Sequence, residues 1–138
     1  MACLGEGRMD WRIFAASIVG AVLGSIADWV FAGVLFHGRY QRHPEVWRTG
    51  ISETLRIGAA QFLCLLTSVA FVALADMLGL VDLTGTLKLA AMIWLIAPLP
   101  LLVTNSLFIK IDPFVTASHA AGWLAKLLLI AVATAVLL

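Results

Sequence analysis

WLIAPLPLLVTNSLFIK, residues 94–110, decides the fold. The stretch is apolar enough to lie in a bilayer. Yet it holds Pro98, Pro100, Thr104 and Asn105, where a plain anchor needs no such residues. It is one of four runs that meet the length of about 20 apolar residues needed to cross the hydrocarbon core as a helix. The runs are residues 11–36, 52–76, 86–109 and 113–138. None alternates strictly between apolar and polar residues, as a membrane β-barrel strand would. The expected fold is therefore all-α: a polytopic four-helix transmembrane bundle of antiparallel hairpins, filling residues 1–138 as a single membrane domain.

Composition agrees. Hydrophobic residues make up 62% of the chain and charged residues 12%, far from the balance of a water-soluble domain. Mean hydropathy is +1.03, so lipid has to cover much of the surface. A net charge of +1 and the lack of a basic recognition motif point away from nucleic acid as a partner. Cys3 and Cys64 are too far apart for a disulfide framework or a metal-ligand spacing. Arg8 and Arg12 before an apolar run, with Ser25-Ile26-Ala27 after it, resemble a cleavable signal peptide. The run continues through residues 29–36, which favours an uncleaved first helix.

Helix ends carry recognisable punctuation. Ser52 can cap the second helix, with Glu53 in its first turn. Gly79 is a plausible stop. Thr84 or Thr86 can cap the third helix, and Asp112-Pro113 opens the fourth. The polar loop, residues 37–51, carries Arg39, Tyr40, Arg42, Trp47 and Arg48. Arginine favours the cytoplasmic side and aromatic rings favour the headgroups, so these five are expected to anchor topology or hold lipid headgroups. With Lys110 on the same side, the bias puts both termini outside the cytoplasm, in a multi-pass protein of the cell inner membrane.

Polar groups inside the spans carry the functional expectations. Each proline removes a backbone donor and crowds the carbonyl four residues back. Pro98 and Pro100 therefore break or kink the third helix, and Pro100 should also drive Leu99 out of α geometry. Such a break either lines a site with free carbonyls or is repaired by neighbours. Trp94, Pro98, Leu101 and Asn105 share one helical face, expected to point into the bundle. His119, Trp123 and Lys126 share a face of the fourth helix. A lysine near mid-span costs about 2.5–3.5 kcal/mol unless it is paired or reaches water. Asp28 is its best partner, since their axial offset of about 9 Å lies within reach of the two tilted side chains.

Counting rise along each helix puts Asp28, Arg56, Asn105 and His119 at similar depth in the half facing the first loop, with Lys126 deeper. Two readings follow: a polar funnel open to that side, or an inter-helix hydrogen-bond layer that fixes packing. The three histidines, His37, His43 and His119, lack ligand spacing, so no metal is expected. No cofactor or catalytic residue is expected either. Ala16, Gly20 and Gly24 form small-xxx-small steps that let backbones approach closely.

The second half resembles the bacterial membrane family called domain of unknown function 1761. The resemblance rests on Leu35-Phe36-His37-Gly38-Arg39, Trp94-Leu95, Pro98, Asn105, Leu107-Phe108 and Gly122-Trp123. It implies four membrane helices and carries over no activity. Asp28 and Lys126 are not part of the family pattern. Two functions are expected from the residues: a non-enzymatic protein acting by assembly, as a homo-oligomer or accessory subunit of a larger membrane complex; or a small transporter or channel for an ion or small polar solute. An enzyme is the least supported class.

Overall fold

The computed structural model describes residues 11–41 and 50–138. It is an all-α bundle with four long apolar helices, each a candidate membrane span: Trp11–Leu35, Glu53–Met77, Leu83–Phe108 and Pro113–Leu137. The first span is α1 (Trp11–Asp28), continued by a π-helical segment, Trp29–Leu35. A short helix α2 (His37–Tyr40) follows it. The second span is α3 (Glu53–Met77). The third is divided into α4 (Leu83–Ile96) and α5 (Pro98–Phe108), and the fourth is α6 (Pro113–Leu137).

Local chemistry explains the ends. The Ser52 hydroxyl accepts from the Leu55 N–H at 3.3 Å, an N-cap that satisfies an otherwise free donor. Asp112 accepts from Phe114 N–H at 2.8 Å, and Pro113 occupies the first turn of α6, where its missing donor is not needed. Gly79 has φ +66, and the Leu80 N–H returns to the Ala75 carbonyl at 2.9 Å. The chain stops α3 there because glycine adopts this left-handed conformation without strain. The third span starts earlier than expected. Its cap is Asp82, which accepts from the Gly85 N–H at 3.1 Å, and not Thr84 or Thr86. Thr86 is buried inside the helix, and its hydroxyl bonds the Asp82 carbonyl at 3.1 Å.

The third span breaks at one residue. Ala97 has φ −129 and ψ −74, outside helical geometry, as a residue before proline is biased to be. Pro98 then restarts the helix, and Pro100 falls in the same first turn. First-turn N–H groups have no partner within a helix, so both missing donors cost little there. Leu99 remains helical, contrary to expectation: the bias on the residue before a proline is a preference, and the break at Ala97 frees Pro100 from the carbonyl four residues back. The break also shifts the helical phase. Leu101 is 62% exposed, while Pro98, Leu102, Asn105 and Ser106 form the half-buried side of α5.

The fourth span is the centre of the bundle. In α6, 44% of the most apolar window is buried, against 17%, 22% and 11% for the other spans in chain order. It packs chiefly on α1 and α4, while α3 packs chiefly on α1. The two ends of the bundle differ. At the end holding the N-terminus of α1 and the C-terminus of α6, Phe71, Ala75, Ala90, Leu127, Ile130 and Ala131 form the core. There the Arg12 guanidinium donates to the Leu137 carbonyl at 2.7 Å, a basic group on free carbonyls of a helix C-terminus. At the first-loop end, every residue from 53 to 63 is exposed, and neither α5 nor the π segment buries a residue.

The small-residue face of α1 lies inside the chain. A Cβ on Gly20 would collide with the Ser68 hydroxyl, and one on Gly24 would meet Cys64 Sγ at 3.0 Å and Lys126 Cγ at 3.1 Å. Ser68 donates to the Ser17 carbonyl at 2.8 Å across this contact. Close backbone approach is thus used to pack α3 and α6 on α1.

Candidate functional site

The site lies where the packed half of the bundle gives way to the open half. Lys126 projects from α6, and its side chain is only 8% exposed. Its aliphatic stem runs past Gly24, which has no side chain to block it. One turn further along α1, Asp28 receives the ammonium: Lys126 Nζ lies 2.6 Å from Asp28 Oδ2. The ammonium also sits 4.4 Å from the centre of the Trp123 ring, a cation–π contact that strengthens where water is scarce. The Asp28 side chain is 41% exposed, so it is the carboxylate, not the ammonium, that reaches open space.

That space is a cleft of about 330 Å³ between α1, α3 and α6. Asp28, Lys126, His119 and Trp123 form its polar and aromatic wall, with Phe31 and Cys64 beside them. The Cys64 thiol is free and buried, and Sγ donates to the Ala21 carbonyl at 3.5 Å.

The π segment shapes one side of the cleft. The Phe36 N–H bonds the Phe31 carbonyl, five residues back, at 3.1 Å. This wider turn starts directly after Asp28. It places Phe31 and Ala32 on the cleft wall. Phe31 approaches α6 at Gly122, where a Cβ would lie 3.4 Å from the Phe31 Cβ. Single π turns inside α-helices are frequent at functional sites. On the other flank, Trp94 donates from Nε1 to the Ala120 carbonyl at 2.8 Å, which ties the end of α4 to the turn of α6 that presents His119.

Among the expected polar residues, Asp28, His119 and Lys126 come together. Arg56 and Asn105 do not line the cleft. Arg56 is exposed on α3, and Asn105 is half-buried on α5. Pro98 and Pro100 begin α5 and stand apart from the cleft. Arg42, His43, Trp47 and Arg48 lie outside the described residues, as do the side chains of Arg39 and Tyr40. Phe31, Cys64, Thr67 and Ser118 were not anticipated as cleft residues. Ser118 and Gly122 flank His119 with small groups at helical spacing, and that was the signal available for this face.

A lysine held against a carboxylate at membrane depth can exchange one ionic partner for another, or pass a proton when water reaches it. Compared with protein-family models, with curated protein sequences and with solved structures, the chain has no match.

Proposed function

We propose that this four-span integral membrane protein is a small transporter or channel, which takes an ion or small polar solute into the Asp28–Lys126–His119 cleft. One observation carries the reading: a buried ammonium paired with a carboxylate that faces open space at membrane depth. Ionisable groups in a span are costly, and where they occur they mark solute pathways and proton relays. Phe31 and Ala32, in the segment that leads to the first loop, line the cleft, and in our reading solute enters from the first-loop side. In our reading that side is the cytoplasm, both termini lie outside it, and the host is a bacterial inner membrane. The resemblance to the domain of unknown function 1761 family is kept with this reading and adds no residue role.

Assembly as a homo-oligomer or accessory subunit is the second reading. The Ala16–Gly20–Gly24 face does not support it, since that face is used within the chain. What supports it is the bare first half of α3, exposed from residue 53 to 63.

Flux into proteoliposomes tests the first reading. Purified protein is reconstituted, and internal pH, potassium, sodium and glycerol are followed after a step in each. Wild type should speed at least one relaxation over protein-free vesicles, and Asp28→Asn should abolish the gain. Relaxations equal to protein-free vesicles for all four probes would defeat the proposal.

A further inference from the structure

The surface that α1 and α3 turn away from α6 contains a second polar feature. Gln61 is exposed on α3, on a groove of about 420 Å³ whose walls include Ile18, Val22, Trp29 and Leu65. The Ser25 hydroxyl donates to Gln61 Oε1. An amide also carries two N–H donors, and among the described residues neither finds an acceptor. Gln61 lies eight positions into α3, about 12 Å along its axis. For a span of this length that is within the hydrocarbon, where water is absent and an acyl chain carries no acceptor.

We propose that this α1/α3 face is a two-fold interface with a second copy of the chain, centred on Gln61. The inference rests on the reading of the protein as one that assembles. A two-fold axis along the membrane normal sets every residue at the same depth as its own copy, and a residue beside the axis faces that copy. An amide is both donor and acceptor, so it is complementary to itself. Two Gln61 side chains across such an axis supply each other's missing acceptor, which lipid cannot do. Gly58, one turn nearer the first loop, has nothing within 4 Å of a Cβ position, which leaves room for close approach of a neighbouring helix. The apolar flanks fit as well: Val22 is 54% exposed and Trp29 66% exposed. The cleft at Asp28 shares none of its lining residues with this groove.

The test uses the full chain in lipid bilayers. Subunit number is counted by single-molecule photobleaching as the protein is diluted in lipid. Wild type should dimerise, and Gln61→Leu should weaken the dimer roughly 3- to 20-fold, the range for one interhelical polar contact in a membrane. Gln61→Asn keeps an amide and should lose less. In a Cys3→Ser, Cys64→Ala background, Gly58→Cys should form a disulfide between copies under mild oxidation. Leu107→Cys, on α5 and 76% exposed, should not. A wild-type dimer that ignores Gln61→Leu and fails to link through Gly58→Cys overturns this interface while assembly stands. A chain that stays monomeric at all dilutions overturns both. Capture of a different protein at Gly58→Cys, without self-linking, overturns the two-fold interface.

Discussion

The Lys126 ammonium lies 2.6 Å from the Asp28 carboxylate, although the two residues come from opposite ends of the chain and the ammonium is nearly sealed from solvent. The pair joins the first and last spans at the level where the bundle opens. Its two members are unequal: the lysine is buried and the aspartate faces the cleft.

That inequality predicts unequal mutants. Asp28→Asn strands a buried ammonium and should destabilise by somewhat less than the roughly 3–5 kcal/mol of a fully buried pair, because the Asp28 side chain is 41% exposed. Lys126→Met leaves a carboxylate that can reach the cleft and should destabilise less. The double variant should lie closer to wild type than the sum of the two. Unfolding in mixed micelles of SDS and a mild detergent gives all three values. Additive effects would mean that the residues do not interact.

Gly24 is the opening through which the lysine stem passes. A Cβ there would lie 3.1 Å from Lys126 Cγ and 3.0 Å from Cys64 Sγ. Gly24→Val should therefore overpack the α1–α6 contact and destabilise by about 1–3 kcal/mol. It should also remove the non-additivity of the Asp28→Asn and Lys126→Met cycle. The same unfolding assay, repeated in the Gly24→Val background, measures both effects.

Trp94 fastens the broken third span to α6. Its ring N–H donates to the Ala120 carbonyl at 2.8 Å. Trp94→Phe keeps most of the apolar body and removes the donor, so it should destabilise by about 0.5–1.5 kcal/mol. The bond also holds α4 against the turn that carries His119. Hydrogen exchange in α5, which has no buried residue of its own, should rise in this variant and stay unchanged in α1.

Much of the fold was legible because length and hydropathy encode it. Four runs long enough to span appear in the sequence, and their ends moved by no more than three residues, the largest shift being from Thr86 to Leu83 at the start of the third span. The Asp28–Lys126 pair was also legible, since rise per residue fixes depth and side-chain tilt closes the remaining gap. Direction around the axis was not. Arg56 and Asn105 do not line the cleft, because the azimuth of a span depends on which helix it packs against. In water an apolar stripe would give that direction. In lipid both faces of a helix are apolar, and the stripe disappears. Leu101 shows the second cause: the break at Ala97 shifts the phase, so of the face extrapolated from Trp94, Pro98 and Asn105 stay half-buried while Leu101 turns outward. The π turn after Asp28 has no sequence signature that separates Trp29–Leu35 from ordinary helix.

The small residues of α1 teach a related point. Gly20 and Gly24 marked a close helix contact correctly, but the pattern does not say whether the neighbour is in the same chain. Contact with Ser68 and Lys126 answers that for this face.

The proposed function requires the Asp28–Lys126 cleft to be open to water from the first-loop side. Cysteine accessibility in oriented membranes tests it most directly, in a background of Cys3→Ser and Cys64→Ala. Ala60 is exposed on the cleft wall. Phe62, two residues on and 65% exposed, does not line the cleft and faces lipid. Ala60→Cys should react with a charged, membrane-impermeant methanethiosulfonate reagent from the first-loop side only, and Phe62→Cys should not react from either side. If Ala60→Cys is as inert as Phe62→Cys, the cleft is dry and the proposed function fails.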